Sequence, residues 1–137
     1  MELMCIFKLC QLPQQMAEKT EEILYVEISE MDYLLICNVK DLRKEIGLTQ
    51  LQLSQKMKLA DGFVSKVETF TERAKYNIRH LPLLAKALDC EIYDLFPKQI
   101  PKNDQVKLTL LRTNRVNRDG SVSTKKVTEV IKIEPIR

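Results

Sequence analysis

Five short runs of apolar side chains between residues 32 and 97 constrain the fold of this chain more than any other feature. The first run repeats at intervals of four, three and four residues and consists of Leu35, Val39, Leu42 and Ile46. Such spacing places the apolar side chains on one face of a helix, here over residues 32–46. Gly47 can adopt the left-handed conformation that ends a helix, and Thr49 can cap the next one.

The remaining runs predict four more helices, over residues 49–57, 63–68, 78–88 and 92–96. The polar and basic stretch 69–77 has no clear period and is interpreted as a loop. Pro97 stops the last helix, and residues 98–104 have the composition of a linker. The expected fold class is therefore mainly α, with a five-helix domain over residues 32–97.

The C-terminal region differs, because its two segments are rich in residues that favour strands. Residues 105–117 and 122–134 flank Asp119-Gly120, a dipeptide that is typical of tight hairpin turns. A turn centred on that dipeptide would pair Val106 with Ile133, Leu108 with Ile131, and Arg112 with Val127. We therefore expect a β-hairpin appendage over residues 105–137.

The apolar face of this hairpin needs a cover, since an isolated two-stranded hairpin is only marginally stable in water. Three covers are open: the helical domain, a strand at 23–28 within the N-terminal extension (residues 1–31), or a second subunit. We favour a homodimer formed through this face. The face consists of Val106, Leu108, Leu110, Val127, Ile131 and Ile133.

Two sequence blocks resemble the Xre-type, lambda-repressor-like helix-turn-helix family. They are VKDLRKEIGLTQLQLSQKMKLADGFVSKVE at 39–68 and LAKALDCEIYDLF at 84–96. The resemblance implies a tight turn that holds two helices at a steep angle, so that the second projects into the major groove of DNA. Ser54 is small enough to let these helices approach.

The same resemblance implies a set of DNA-contacting residues. Gln50 would contact a backbone phosphate and support the recognition helix, whose outward positions are Asp61, Gly62, Phe63, Ser65 and Lys66. Ser65 can hydrogen-bond to a base edge, and Lys66 can reach guanine acceptors or a phosphate. Asp61 departs from the family pattern, because an acid repels phosphate; capping the helix is the alternative role for it. Glu68 is expected to pair with Arg43 rather than to contact DNA.

The predicted loop after Glu68 carries residues suited to gripping the DNA backbone, since a phosphate contact needs only a charge or a donor. These residues are Arg73, Lys75, Tyr76 and Asn77. For Gln50, Ser65 and Lys66, plain solvent exposure without a DNA contact is the alternative interpretation.

Charge is distributed unevenly along the chain. Residues 1–38 hold two basic and seven acidic side chains, whereas residues 98–137 hold ten basic and four acidic ones. A basic C-terminal region suggests a polyanionic partner, although an ordinary solvated surface fits as well. The four cysteines, Cys5, Cys10, Cys37 and Cys90, have no paired spacing and the chain has one histidine, so neither a metal nor another cofactor is expected.

The chain is expected to be cytoplasmic. No apolar run reaches the roughly 20 residues of a membrane span. Residues 1–12 contain Lys8 and lack the small-residue cleavage site of a secretion signal, and Met16 or Met31 could be the true start.

Double-stranded DNA is therefore the expected partner, and the expected function is a transcriptional regulator, most simply a repressor. An antitoxin is an alternative, in which the helix-turn-helix represses its own operon while an appendage masks a toxin protein. A protein-interaction module that has lost DNA binding is a third, favoured by Asp61. An enzyme is not expected, because no nucleophile, histidine and acid form a recognisable set.

Overall fold

The computed structural model describes residues 18–137, which form a three-stranded antiparallel sheet, four α-helices and one 3₁₀ helix. In chain order the elements are β1 (Glu21–Ser29), α1 (Glu30–Glu45), α2 (Gln50–Lys56), α3 (Phe63–Glu68), α4 (His80–Leu88), the 3₁₀ helix (Ile92–Leu95), β2 (Gln105–Val116) and β3 (Val122–Pro135).

The expectation of a mainly α fold with five α-helices is wrong, because the described residues contain four α-helices beside a sheet. The fifth segment is a single 3₁₀ turn. Asp89 ends α4 in a left-handed conformation with φ of 52°, and Pro97 follows soon after. The Asp94 carboxylate accepts from the Glu91 N–H at 3.0 Å and so fixes the start of this turn.

The strand expected near 23–28 is present as β1, and it pairs with β2 rather than covering the hairpin face. The sheet order is β1-β2-β3, so β2 is the central strand. Ile28 lies opposite Val106, and Val26 lies opposite Leu108, so their side chains share one face of the sheet.

One hydrophobic core joins the sheet to the helices. The side chains of Val106, Leu108 and Leu110 are at most 1% exposed. They belong to the same buried cluster as Ile36 and Val39 of α1, together with residues from α2, α3 and α4. The helical part is therefore the main cover for the apolar side chains of β2, whereas Ile131 and Ile133 of β3 remain about half exposed. Val127 pairs with Thr113 and so lies on the opposite face of the sheet from Leu108 and Leu110, which makes the expectation that it shares their face wrong.

The expected hairpin is present, but its expected register is wrong. Leu108 pairs with Ile133, and Val106 pairs with Pro135. The turn is longer than two residues: the Asn117 carbonyl accepts from the Gly120 N–H at 3.0 Å, and the Asn117 N–H donates to the Ser121 carbonyl at 2.8 Å. Gly120 has φ of 85°, as three-residue hairpin loops require. Two irregularities in the pairing shift the register further.

The expectations for Cys5, Cys10, Met16 and residues 1–12 concern positions outside the described residues. Within residues 18–137, Cys37 and Cys90 are free thiols, and burial raises the pKa of both. No helix in that part of the chain combines the length and the apolar character needed to cross a membrane.

Candidate nucleic-acid interface

Two short helices joined by a tight turn form a helix-turn-helix unit from Gln50 to Glu68. Thr49 begins it with a reciprocal capping box, in which its hydroxyl accepts from the Gln52 N–H and the Gln52 side chain accepts from the Thr49 N–H. The inward positions expected from the sequence are buried, including Leu53, Val64 and Val67. These side chains fix α3 against the core by burial.

Ser54 connects the two helices directly. Its hydroxyl donates to the Gln50 carbonyl at 2.9 Å and accepts from the Val64 N–H at 3.1 Å. The side chain is fully buried. The sequence indicated only its small size; the hydrogen bond adds a specific link between α2 and one of the N–H groups that the first turn of α3 leaves unpaired.

A buried ion pair holds the other end of α3. Glu68 accepts two hydrogen bonds from the Arg43 guanidinium of α1, each of 3.0 Å, and this is the pairing expected from the sequence. The Gln50 amide also donates to Glu68. Bidentate geometry makes such a pair strongly directional. Glu68 therefore connects α1, α2 and α3, and Gln50 supports α3 through this hydrogen bond.

The proposed base-reading positions face outward to different degrees. Asp61, Gly62 and Lys66 are exposed, and Ser65 is half-buried. Asp61 does not cap α3, since Gly62 occupies the N-cap position without any side-chain hydrogen bond. Phe63 packs inward, with its ring 4.8 Å from His80 and 6.0 Å from Tyr76.

The loop after α3 divides into surface and core residues. Arg73 and Asn77 are exposed, and the Lys75 ammonium donates to the carbonyls of Glu72 and Ala74. Tyr76 is buried, and its hydroxyl has no hydrogen-bond partner among the residues described. Burial, followed by the charge of Glu68, raises the pKa of this hydroxyl. Tyr76 thus anchors the loop to the core.

Asn77 and His80 form the start of α4. The Asn77 N–H donates to His80 Nδ1 at 3.1 Å, and the His80 N–H donates to the Asn77 side-chain oxygen at 3.3 Å. Burial, and secondly the charge of Arg79, lower the pKa of His80. These reciprocal bonds fix the end of the loop that begins after Glu68.

A cleft of about 390 Å³ lies beside α3. Its helical side includes Gln50, Ser65 and Lys40, and its other side comes from the far end of the hairpin. The hairpin residues that line it are Arg115, Lys125, Lys126, Val127 and Thr128. The basic residues of the hairpin were not among the expected DNA contacts, although the excess of basic side chains after residue 98 was a signal for them.

Two solved structures are similar to this chain. The hypothetical transcription factor NHTF from Neisseria is 24% identical, with a TM-score of 0.45, and the match covers 50% of this chain and 76% of that one. The restriction-modification controller protein C.AhdI from Aeromonas hydrophila is 29% identical, with a TM-score of 0.40, and the match covers 45% of this chain and 91% of that one. No family model and no curated protein matches the sequence.

Proposed function

We propose that this chain binds double-stranded DNA in a sequence-specific manner and regulates transcription. The main support for this proposal is that buried polar contacts hold both ends of α3. Ser54 holds the start of the helix and the Arg43–Glu68 pair holds its end. A recognition helix must present its side chains at a fixed angle and depth, and a helix of six residues cannot do so without such support.

Base contacts in this proposal come from the outward side of α3. Lys66 is exposed and can donate to the guanine acceptors of the major groove, and the Ser65 hydroxyl can donate to or accept from a base edge. Gly62 is exposed, and the space where a Cβ would lie is empty, so the DNA can approach the backbone closely here. Asp61 would repel a phosphate and can accept only from a donor such as the cytosine amino group.

Backbone contacts in this proposal flank the recognition helix. Gln50 remains a candidate phosphate ligand, and its amide is already oriented by Glu68. Arg73, Lys75 and Asn77 lie in the following loop, which is fixed by the buried Tyr76 and the Asn77–His80 bonds. Phosphate contacts from both sides of a recognition helix set its position over the bases.

We further propose repression by a homodimer, because two recognition helices about one helical turn of DNA apart require a two-fold axis. The half-exposed side chains of Ile131 and Ile133 leave apolar surface on β3 for a second copy. Sedimentation of the free protein and of its DNA complex tests this part independently of DNA binding.

Selection of bound sequences from random duplex DNA tests the central proposal. We expect a defined consensus, and a palindromic one if the dimer is correct. Lys66→Ala is expected to weaken binding to the consensus by about 1–3 kcal/mol and to relax the preference at one base pair. Lys98→Ala is the matched control, since Lys98 is exposed on the linker after the 3₁₀ helix. Failure to enrich any sequence would contradict the proposal.

A further inference from the structure

The hairpin extends beyond the part of the sheet that β1 covers. The pairing between β1 and β2 ends at Glu21, the first residue of β1, which lies opposite Thr113 of β2. Residues 114–126 therefore form a two-stranded extension, which we call the basic arm. It carries Arg115, Arg118, Lys125 and Lys126 but only one acid, Asp119. Most of its side chains are exposed, so burial in this chain does not explain its sequence.

The basic arm lies beside the recognition helix. Arg115, Lys125 and Lys126 line the same cleft as Ser65 and Gln50. A duplex contacted by Ser65 would therefore have its nearest backbone close to these cations. The arm reaches this position from the opposite end of the sequence, which is why no local motif indicates it.

The cleft is strongly positive. Among the residues that line it, Lys40 and the three arm cations face one carboxylate, that of Glu68. Glu68 is already bonded to the Arg43 guanidinium, so its charge is compensated within the core. Cations that are concentrated in a cleft and lack acidic partners attract a polyanion.

A polar cluster fixes the base of the arm. The buried Asn114 side-chain oxygen accepts from the Lys126 ammonium at 2.9 Å and from the Thr20 hydroxyl at 2.7 Å, and its amide donates to the Ser123 carbonyl at 2.9 Å. The Lys126 ammonium also donates to the Thr20 hydroxyl. All these acceptors are neutral, so the cluster orients Lys126 without cancelling its charge.

We propose that the basic arm is a second DNA-binding element, in which Arg115 and Lys125 contact phosphates of the same duplex that α3 reads. This inference rests on the proposed function and extends it to a surface formed by β2 and β3. Phosphate is the ligand because the arm presents exposed charges rather than a pocket shaped for one base. Lys126 and Asn114 position the arm.

The test is a salt titration of duplex binding by the full chain and by Arg115→Ala/Lys125→Ala. The matched control is Lys98→Ala/Lys102→Ala, which removes the same charge from exposed linker positions. Each lost phosphate contact is expected to lower affinity on the order of tenfold at 0.1 M salt and to reduce the salt slope by about 0.9. For the arm variant, the slope of log affinity against log salt concentration should therefore be smaller in magnitude by about 1.8, equally on the selected and on a scrambled duplex.

The possible outcomes distinguish the inference from the function on which it rests. If the wild-type chain binds its consensus and the arm variant behaves like the linker variant, the arm inference is wrong and the function stands. A loss confined to the selected duplex would overturn the assignment to phosphate. Absence of any duplex binding by the wild-type chain would overturn both. Unchanged circular dichroism of the arm variant shows that its fold is intact.

Discussion

Lys58 adopts a left-handed backbone conformation, with φ of 58°, in the turn that joins α2 to α3. This conformation costs an L-residue about 1–2 kcal/mol, because Cβ approaches the following carbonyl oxygen. Lys58 is exposed, so its side chain contributes little packing in return. We expect Lys58→Gly to raise the free energy of unfolding by up to about 1 kcal/mol. This gain is smaller than the strain that is relieved, because glycine has more conformational freedom in the unfolded chain.

Urea denaturation measures this change, and Lys56→Gly is the control. Lys56 lies in the last turn of α2, where glycine is expected to lower stability by up to about 1 kcal/mol. Equal destabilisation by both variants would contradict the assignment of strain to Lys58.

His80 makes stability depend on pH, because its pKa in the folded chain is below the ordinary value of 6.5. As the pH falls through about 6.5, the unfolded chain gains a proton that the folded chain does not, so folding becomes less favourable. It is the single histidine of the chain, and carboxylates titrate at lower pH. We therefore expect stability to decrease from pH 7.5 to pH 5.5.

His80→Asn keeps an acceptor for the Asn77 N–H and removes the titrating ring. This variant is expected to be less stable at pH 7.5, because the contact with Phe63 is lost, but its stability should vary less with pH. Urea midpoints at several pH values provide the comparison. An equal slope in both proteins would show that His80 is not responsible.

Residue roles were predictable where a periodic element fixed the direction of the side chain. Leu53, Val64 and Val67 were expected on the inner faces of their helices, and all three are buried. The Arg43–Glu68 pair was expected from the resemblance to a known family, and the structure contains it. Tyr76 lies in a loop without a period, where the sequence does not tell an inward ring from an outward one. It was expected at the DNA surface, and the structure places its side chain in the core.

At the scale of elements, Ser54 shows how one hydroxyl can connect α2 to α3. Ser54→Ala would leave the buried Val64 N–H without its partner. Leaving such a group unpaired costs about 1–3 kcal/mol. We expect that loss in urea denaturation and weaker DNA binding, because α3 would be less firmly held. Gln55→Ala, at an exposed position of α2, is the control, with a stability change expected within about 0.5 kcal/mol. A neutral Ser54→Ala would show that size alone matters at this position.

The helices were more predictable than the strand pairing, for a local reason. Three- and four-residue spacing indicates α1, α2, α3 and α4 from neighbouring residues alone. Hairpin register depends on the length of the turn and on bulges. The expected two-residue turn is wrong, because the loop has three residues. One bulge leaves Ile131 without a direct partner, next to Val130. These adjacent apolar residues break the strict alternation of a strand, so a signal for the bulge was present.

At the scale of the whole molecule, the least predictable feature is the pairing of β1 with β2. β1 and β2 are separated by the entire helical region, yet they pair along nine residues of β1. A local sequence pattern does not indicate which distant strand will pair with a given strand edge. The sequence indicated that the hairpin needs a cover and left three covers open. The structure shows the helices covering one side of β2 while β1 occupies its edge.

Deletion of residues 99–137 tests this shared core. If the hairpin were only an appendage, the remaining chain would keep its helices. Instead, the deletion removes Val106, Leu108 and Leu110, each worth roughly 1.5–3 kcal/mol when fully buried. A domain has only about 5–15 kcal/mol of net stability, so we expect the truncated chain to lose its helical circular dichroism and its cooperative melting transition.

Leu108→Ala in the full chain provides the milder form of the same test. We expect it to fold but to lose about 2–5 kcal/mol in urea denaturation, because the removed side chain contacts the core and leaves a cavity. Ile100→Ala is the matched control, since Ile100 is 92% exposed and its loss should leave stability almost unchanged. A truncated chain that keeps its helical content, together with a Leu108→Ala variant as stable as Ile100→Ala, would mean that the helices fold independently of the sheet.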